Sequence, residues 1–124
     1  MIDLIDSTLG GLNVGIDVIE IERFRNKPLN KKNDSFYHSI FTESELSYCM
    51  KYSDPYPHLA GIFAAKESLL KCLTTPIEML EIEISHNVDG KPHVSTHSRI
   101  KAMQVRISIT HTRSIAMAMA ITRS

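Results

Sequence analysis

Three short stretches hold residue types that do chemistry, at spacings the chemistry needs. In Gly15-Ile16-Asp17-Val18-Ile19-Glu20-Ile21 a carboxylate stands among neighbours that are nearly all apolar. Burying it alone costs on the order of several kcal/mol. Asp17 therefore either faces solvent on an edge strand or meets something that compensates its charge. In Phe63-Ala64-Ala65-Lys66-Glu67-Ser68-Leu69-Leu70-Lys71, Glu67 and Lys71 share one helix face. As a bare surface pair they contribute only about 0.3–0.5 kcal/mol. Lys66 falls near the middle of the same helix's apolar stripe, where lysine is rare unless paired. Its stem is expected to carry the ammonium toward a carboxylate or a bound anion. In Ser108-Ile109-Thr110-His111-Thr112 a histidine flanked by hydroxyls closes a strand. It can donate to phosphate oxygens, or simply be a satisfied histidine in a bend.

The elements that position these residues follow from local pattern. Residues 1–12, ending in Gly10-Gly11, read as a loose lead-in to a single domain over 13–124. A Val- and Ile-rich run predicts a strand from Asn13 to Ile21, then a short helix over Glu20–Arg25 stopped by Asn26 and Pro28. Residues 27–39 are polar and read as mobile, with Lys27, Lys31 and Lys32 close together. Thr42 and Glu45 form a capping box for a helix to about Lys51. Pro57 opens the next helix, whose stripe is Leu59, Ile62, Phe63, Leu69, Leu70 and Leu73. Beyond Thr74-Thr75-Pro76 the period becomes two: Leu80, Ile82 and Ile84 predict a strand. Asp89-Gly90 predicts a turn, His93–Ser95 a short strand, and residues 98–103 a helical turn. Two further strands span Val105–Ile109 and Ile115–Thr122. In the last, Ala116, Ala118 and Ala120 make one face, which suits close approach of the 58–73 helix. The class is α+β: a mostly antiparallel sheet with one long helix packed on it.

Composition excludes several roles. The chain has 124 residues, 43% hydrophobic and 23% charged, with zero formal net charge. No global field favours nucleic acid or an anionic membrane, and no apolar run approaches the ~18 residues that span a bilayer. The N-terminal Met1-Ile2-Asp3-Leu4-Ile5-Asp6 lacks the positive region of a signal peptide. Cys49 and Cys72 are too few for a disulfide framework and lack metal-ligand spacing; a cytoplasmic setting fits. A zinc pair of His93 and His97 is remote, because a four-residue gap needs a helix and this stretch reads as strand and loop.

Taken in order, the Gly-Ile-Asp-Val-Ile-Glu-Ile strand, the Phe-Ala-Ala-Lys-Glu helix, the Asp-Gly-Lys-Pro turn and the Ser-Ile-Thr-His-Thr strand end resemble the holo-acyl-carrier-protein synthases. These are the small, trimeric-type 4′-phosphopantetheinyl transferases, and the resemblance covers residues 14–121. It implies that Asp17 and Glu67 hold Mg²⁺, and that coenzyme A and an acyl carrier protein are the substrates. It implies that Glu67, or a water beside it, accepts the carrier serine's proton, and that Lys71 offsets phosphate charge. It places Gly90, Lys91 and Pro92 beside the adenine, and Thr110, His111 and Thr112 at the nucleotide phosphates, with Lys66 as a further cationic contact. Arg23 and Arg25 correspond to a docking region for an acidic carrier helix. The implied assembly is a homotrimer with shared active sites, His111 facing Asp17 of another chain. The implied setting is lipid metabolism, notably fatty acid biosynthesis.

Two departures stand out. Ile62 replaces an arginine common in the family, and Thr74-Thr75-Pro76 replaces a glycine-rich turn, so coenzyme A binding is expected to lean more heavily on Mg²⁺. A non-catalytic carrier-binding relative and a magnesium-dependent phosphoester hydrolase are the alternatives; retained Asp17, Glu67 and Lys71 oppose the first, and a basic docking helix would be idle in the second.

Overall fold

The strictest alternation in the sequence, at its C-terminal end, makes the centre of the sheet. The computed structural model describes residues 9–95, 100 and 103–124. Strand β1 (Leu12–Glu20) leads into the short helix α1 (Glu22–Arg25), then α2 (Asp34–Ile40), α3 (Glu43–Met50) and the long α4 (Tyr56–Leu70). A hairpin of β2 (Glu83–His86) and β3 (Pro92–Ser95) follows, then β4 (Gln104–His111) and β5 (Ile115–Arg123). The main sheet has the order β1-β5-β4 and is antiparallel throughout. The expected α+β class, with one long helix on an antiparallel sheet, is what the chain adopts.

Register decides which side chains meet α4. Gly15, Ala120 and Ile107 share one row; Asp17, Ala118 and Ile109 the next; Ile19, Ala116 and His111 the third. Ala116, Ala118 and Ala120 are 0–2% exposed, so all three rows lie on the helix side. Gly15 lets the backbones touch: a Cβ there would stand 1.9 Å from the Ser68 carbonyl oxygen. Any other residue would push β1 away from α4. Opposite, Val14, Ile16, Val18, Met117, Met119 and Ile121 remain 37–64% exposed. On α4, Leu59, Ile62 and Leu69 are buried, each worth roughly 1.5–3 kcal/mol by transfer from water.

The predicted capping box is present: Glu45 N donates to Thr42 Oγ1 at 3.2 Å and Thr42 N donates to Glu45 Oε1 at 2.9 Å. Pro57 lies in the first turn of α4. Regular helix ends at Leu70, with Cys72 and Leu73 continuing in tightened turns onto Leu69 and Leu70 carbonyls. Gly90, at φ +87°, takes the left-handed conformation its hairpin turn requires.

Two expectations are corrected. Residues 27–39 are ordered: a 3₁₀ turn at Lys31–Asn33 runs into α2, whose Phe36 and Tyr37 rings stand 6.1 and 6.2 Å from Phe24. The Tyr37 hydroxyl also donates to the Lys27 carbonyl at 2.6 Å. The strand expected from Leu80 begins only at Glu83, because Met79–Glu81 forms a 3₁₀ turn and Leu80 is exposed. The Met79 carbonyl is committed inward, to the Lys66 ammonium at 3.0 Å. Residues 1–8 of the lead-in, most of the turn expected at 98–103, and His97 lie outside the described residues.

Candidate active site

The C-terminal half of α4 and the middle of β1 form one charged cluster. Gly15 and Asp17 point to the same face, so the contact that needs a glycine also sets Asp17 against the helix. Lys71 Nζ stands 3.5 Å from Asp17 Oδ1 and donates to the Ile16 carbonyl at 2.7 Å. The Asp17 side chain is 18% exposed and that of Lys71 53%. Burial raises the Glu67 carboxyl above its ordinary pKa, and the neighbouring Asp17 charge raises it further. Lys71 and Arg23 pull the other way. Two carboxylates held this close create a field that a cation relieves.

The donor set suits Mg²⁺, which takes one or two carboxylates and fills its remaining positions with waters and phosphate oxygens. No group of three or more ligating side chains occurs among the described residues, so an all-protein cage is not what this cluster offers. Neither cysteine competes as a nucleophile: burial pushes the Cys49 thiol up to about 12 and raises that of Cys72.

Lys66 is a correction. Its side chain is fully buried, 2.7 Å from Glu45 Oε1, and donates to the carbonyls of Ile40 at 2.7 Å and Met79 at 3.0 Å. Three N–H groups meet three acceptors, leaving none for a cofactor. Burial lowers the lysine's pKa while Glu45 counteracts. Of the two outlets expected for this ammonium, the carboxylate is the one used. Glu45 Oε2 also accepts from Ile84 N at 2.7 Å, tying α3, α4 and β2 together.

A second group gathers at the opposite end of α4. Gly90, Pro92 and His111 line a cleft of about 160 Å³ together with Ile62, His58 and His86. Lys91 is exposed on the hairpin turn beside it, its N–H donating to Asp89 Oδ1 at 3.0 Å. Thr110 pairs with Met117 and so lies on the other sheet face. Thr112 Oγ1 accepts from Ser114 N and Ile115 N at 3.3 and 3.2 Å, closing the β4–β5 bend. Within one chain the two clusters do not meet. Eight residues of α4 lie between His58 and Glu67, a separation of about 13 Å along the helix axis.

A third group lies on α1. Arg25 is engaged by Asp54, with Nη1–Oδ1 at 3.0 Å and Nη2–Oδ2 at 2.8 Å, and its guanidinium sits over the Tyr56 ring. Arg23 is exposed and edges a cavity of about 120 Å³ floored by Phe24, Phe36 and Phe63, with Lys27 on its rim. Sequence reasoning missed this aromatic floor, and it missed His58 and His86. The available signals were Phe36 inside a polar run and a histidine beside the helix-opening Pro57.

Comparison with known proteins supplies the remaining evidence. A holo-[acyl-carrier-protein] synthase of Caldanaerobacter subterraneus is 42% identical over 118 aligned positions, covering 87% of this chain and 91% of the relative. One from Caldicellulosiruptor saccharolyticus is 38% identical, covering 88% and 94%. The crystal structure of the Bacillus anthracis synthase in complex with CoA (3′,5′-ADP) matches with TM-score 0.75 at 31% identity, over 90% of this chain and 95% of that one. The Helicobacter pylori enzyme in complex with coenzyme A matches with TM-score 0.76 at 28% identity, over 89% and 99%. The 4′-phosphopantetheinyl transferase superfamily profile matches residues 13–120. With that profile spanning nearly the whole chain, this protein belongs to the 4′-phosphopantetheinyl transferase superfamily.

Proposed function

We propose that this chain is a holo-acyl-carrier-protein synthase, an enzyme that transfers 4′-phosphopantetheine from coenzyme A to a serine of an apo acyl carrier protein. The observation that carries the reading is the Asp17–Glu67–Lys71 cluster, set in a chain that matches the family along its length. In the reaction the serine oxygen forms a bond to the β-phosphorus of coenzyme A. The bond from that phosphorus to the bridging oxygen breaks, and adenosine 3′,5′-bisphosphate leaves. Asp17 and Glu67 would hold Mg²⁺, which when bound neutralises pyrophosphate charge and polarises the phosphorus. Glu67, its pKa raised by burial and by Asp17, accepts the serine proton directly or through a water. Lys71 stands beside Asp17 and offsets charge on the phosphate oxygens.

Gly90, Lys91, Pro92, Thr110, His111 and Thr112 border the nucleotide half of coenzyme A. With Ile62 in that cleft, the affinity for coenzyme A falls more steeply on removal of Mg²⁺ than it would beside an arginine. Arg23 and the aromatic floor beside it receive an acidic, amphipathic carrier helix, with Arg25 braced by Asp54 behind it. The exposed face of Val14, Ile16, Val18, Met117, Met119 and Ile121 buries itself in a homotrimer. Such an assembly also brings the His111 end of one chain to the Asp17 cluster of the next, which a single chain leaves apart. A cytoplasmic place in fatty acid biosynthesis, or another carrier-dependent assembly, follows from this activity. Incubation of the protein with apo carrier, coenzyme A and Mg²⁺ tests the reading: the carrier gains the mass of 4′-phosphopantetheine. A carrier left unmodified, with coenzyme A bound, would favour a non-catalytic binding role.

A further inference from the structure

The sheet face turned away from α4 changes character at one end. Its rows there are Leu12, Arg123 and Gln104, then Val14, Ile121 and Arg106. Arg106 and Arg123 therefore stand on one face of neighbouring strands, diagonal to each other and roughly 7–8 Å apart. Two guanidiniums so placed repel unless something negative lies near them. Among the described residues nothing does, since the ion pairs formed there belong to Arg25, His38, Lys66 and Lys71. The Arg106 guanidinium makes one weak hydrogen bond among those residues, Nη1 donating to the Val105 carbonyl at 3.4 Å. Both arginines and Gln104 edge a cavity of about 480 Å³ whose other walls are Leu12, Val94, Ile100, Met103, Val105 and Ile121. No carboxylate lines it. Its volume falls in the range of small-molecule sites, roughly 300–1,000 Å³.

We propose that this cavity is a binding site for an amphipathic anion, an alkyl chain ending in a carboxylate. Arg106 and Arg123 take the head, and the apolar walls cover the chain. An arginine fork meets a carboxylate through two parallel hydrogen bonds. A guanidinium is also weakly hydrated, so it gives up water readily beside apolar walls. The remaining lining selects the body of the ligand. A peptide would bring amides that need partners, and Gln104 is the one uncharged polar side chain in the walls. An alkyl chain needs no partners, and every methylene it buries adds to affinity. The site is separate from the transfer chemistry. Arg106 and His111 are five residues apart on β4, roughly 17 Å along the strand, and Asp17 lies on the opposite sheet face. Ile121 belongs both to the cavity wall and to the exposed apolar face, so the cavity sits at the margin of the surface assigned to the trimer.

The test is calorimetric titration of the native protein with laurate below its critical micelle concentration, beside acetate, inorganic phosphate and methyl laurate. Laurate should bind, with acetate and phosphate about tenfold or more weaker because they lack the chain. Methyl laurate should be about tenfold or more weaker because it lacks the charge. Added salt should weaken laurate and leave methyl laurate unchanged. The double variant Arg106→Gln, Arg123→Gln should lose laurate affinity by about the factor that separates the ester, with an unaltered melting curve. Should the double change perturb folding, Arg106→Gln alone gives the same reading at smaller amplitude. A native protein that does not bind laurate would overturn the site. So would methyl laurate binding as tightly as laurate, or variants binding laurate like the native chain, since either means nonspecific apolar adsorption. Phosphate or acetate binding as tightly as laurate would overturn the alkyl chain as its ligand.

Discussion

Lys71 reaches across from α4 to stand 3.5 Å from the Asp17 carboxylate while its ammonium donates to the carbonyl of Ile16 on the same strand. That double contact holds a carboxylate, a cation and, one helical turn back, Glu67 at a single seam between helix and sheet. The seam carries unfavourable charge in the free protein. Its consequences can be measured.

Ionised Glu67 opposes folding. Its pKa is raised in the folded protein by burial and by Asp17, so the folded state binds this proton more readily than the unfolded one. Stability from this group is present below the unfolded carboxylate pKa and falls as pH rises through the folded value. Glu67→Gln should therefore raise the melting temperature at neutral pH by about 1–3 °C, with the gain vanishing near pH 3–4. Thermal scans at both pH values check this; a variant less stable at neutral pH would contradict the assignment of charge strain to this residue.

The buried Lys66–Glu45 pair should behave in the opposite sense. Lys66→Met strands the Glu45 carboxylate without its ammonium, and loss of one partner of a buried pair costs about 3–5 kcal/mol. Adding Glu45→Gln should recover part of that loss. Urea denaturation of the three variants measures it, and a single variant within about 0.5 kcal/mol of native would show the pair to be solvated.

Much of this arrangement was legible in the sequence, and the exceptions have physical reasons. The β5 alternation of alanine with large residues announced both its faces, because period two is unambiguous over nine residues. Lys66 announced itself by standing in an apolar stripe. Its partner did not, because Glu45 already had a local explanation as the capping residue of α3. Helix α2 has only seven residues, too few for a clear period, and is held by the distant Phe24. Asp17, Glu67 and Lys71 were individually visible, but it took the Gly15 contact to show why they meet. His58 and His86 carry no shared pattern, since only the fold sets the start of a helix beside a hairpin.

The exposed apolar face predicts assembly. Ile16 and Met119 are register partners at its centre and are 55% and 41% exposed. Sedimentation should report a trimer at micromolar concentration, and Met119→Asp should yield monomers with transfer largely lost. A stable native monomer would contradict both the interface and the shared site.

Carrier docking should separate the two arginines. Arg23→Glu is expected to raise KM for the carrier by about tenfold and flatten its salt dependence, leaving KM for coenzyme A nearly unchanged. Arg25→Glu breaks the Asp54 clamp and should lower stability more than docking. Steady-state kinetics at two salt concentrations, with a melting curve for each variant, distinguishes them; equal effects of Arg23→Glu on both substrates would make that residue structural.

The central claim is that Asp17 and Glu67 together carry the transfer. Asp17→Asn and Glu67→Gln keep shape and remove a charged oxygen, so each should retain native circular dichroism. The direct measurement is the intact mass of apo carrier over time with coenzyme A and Mg²⁺, for the native chain and both variants. The account predicts that the native chain adds one 4′-phosphopantetheine per carrier and that each variant is slower by about 100-fold or more. Native-like modification by either variant would contradict it.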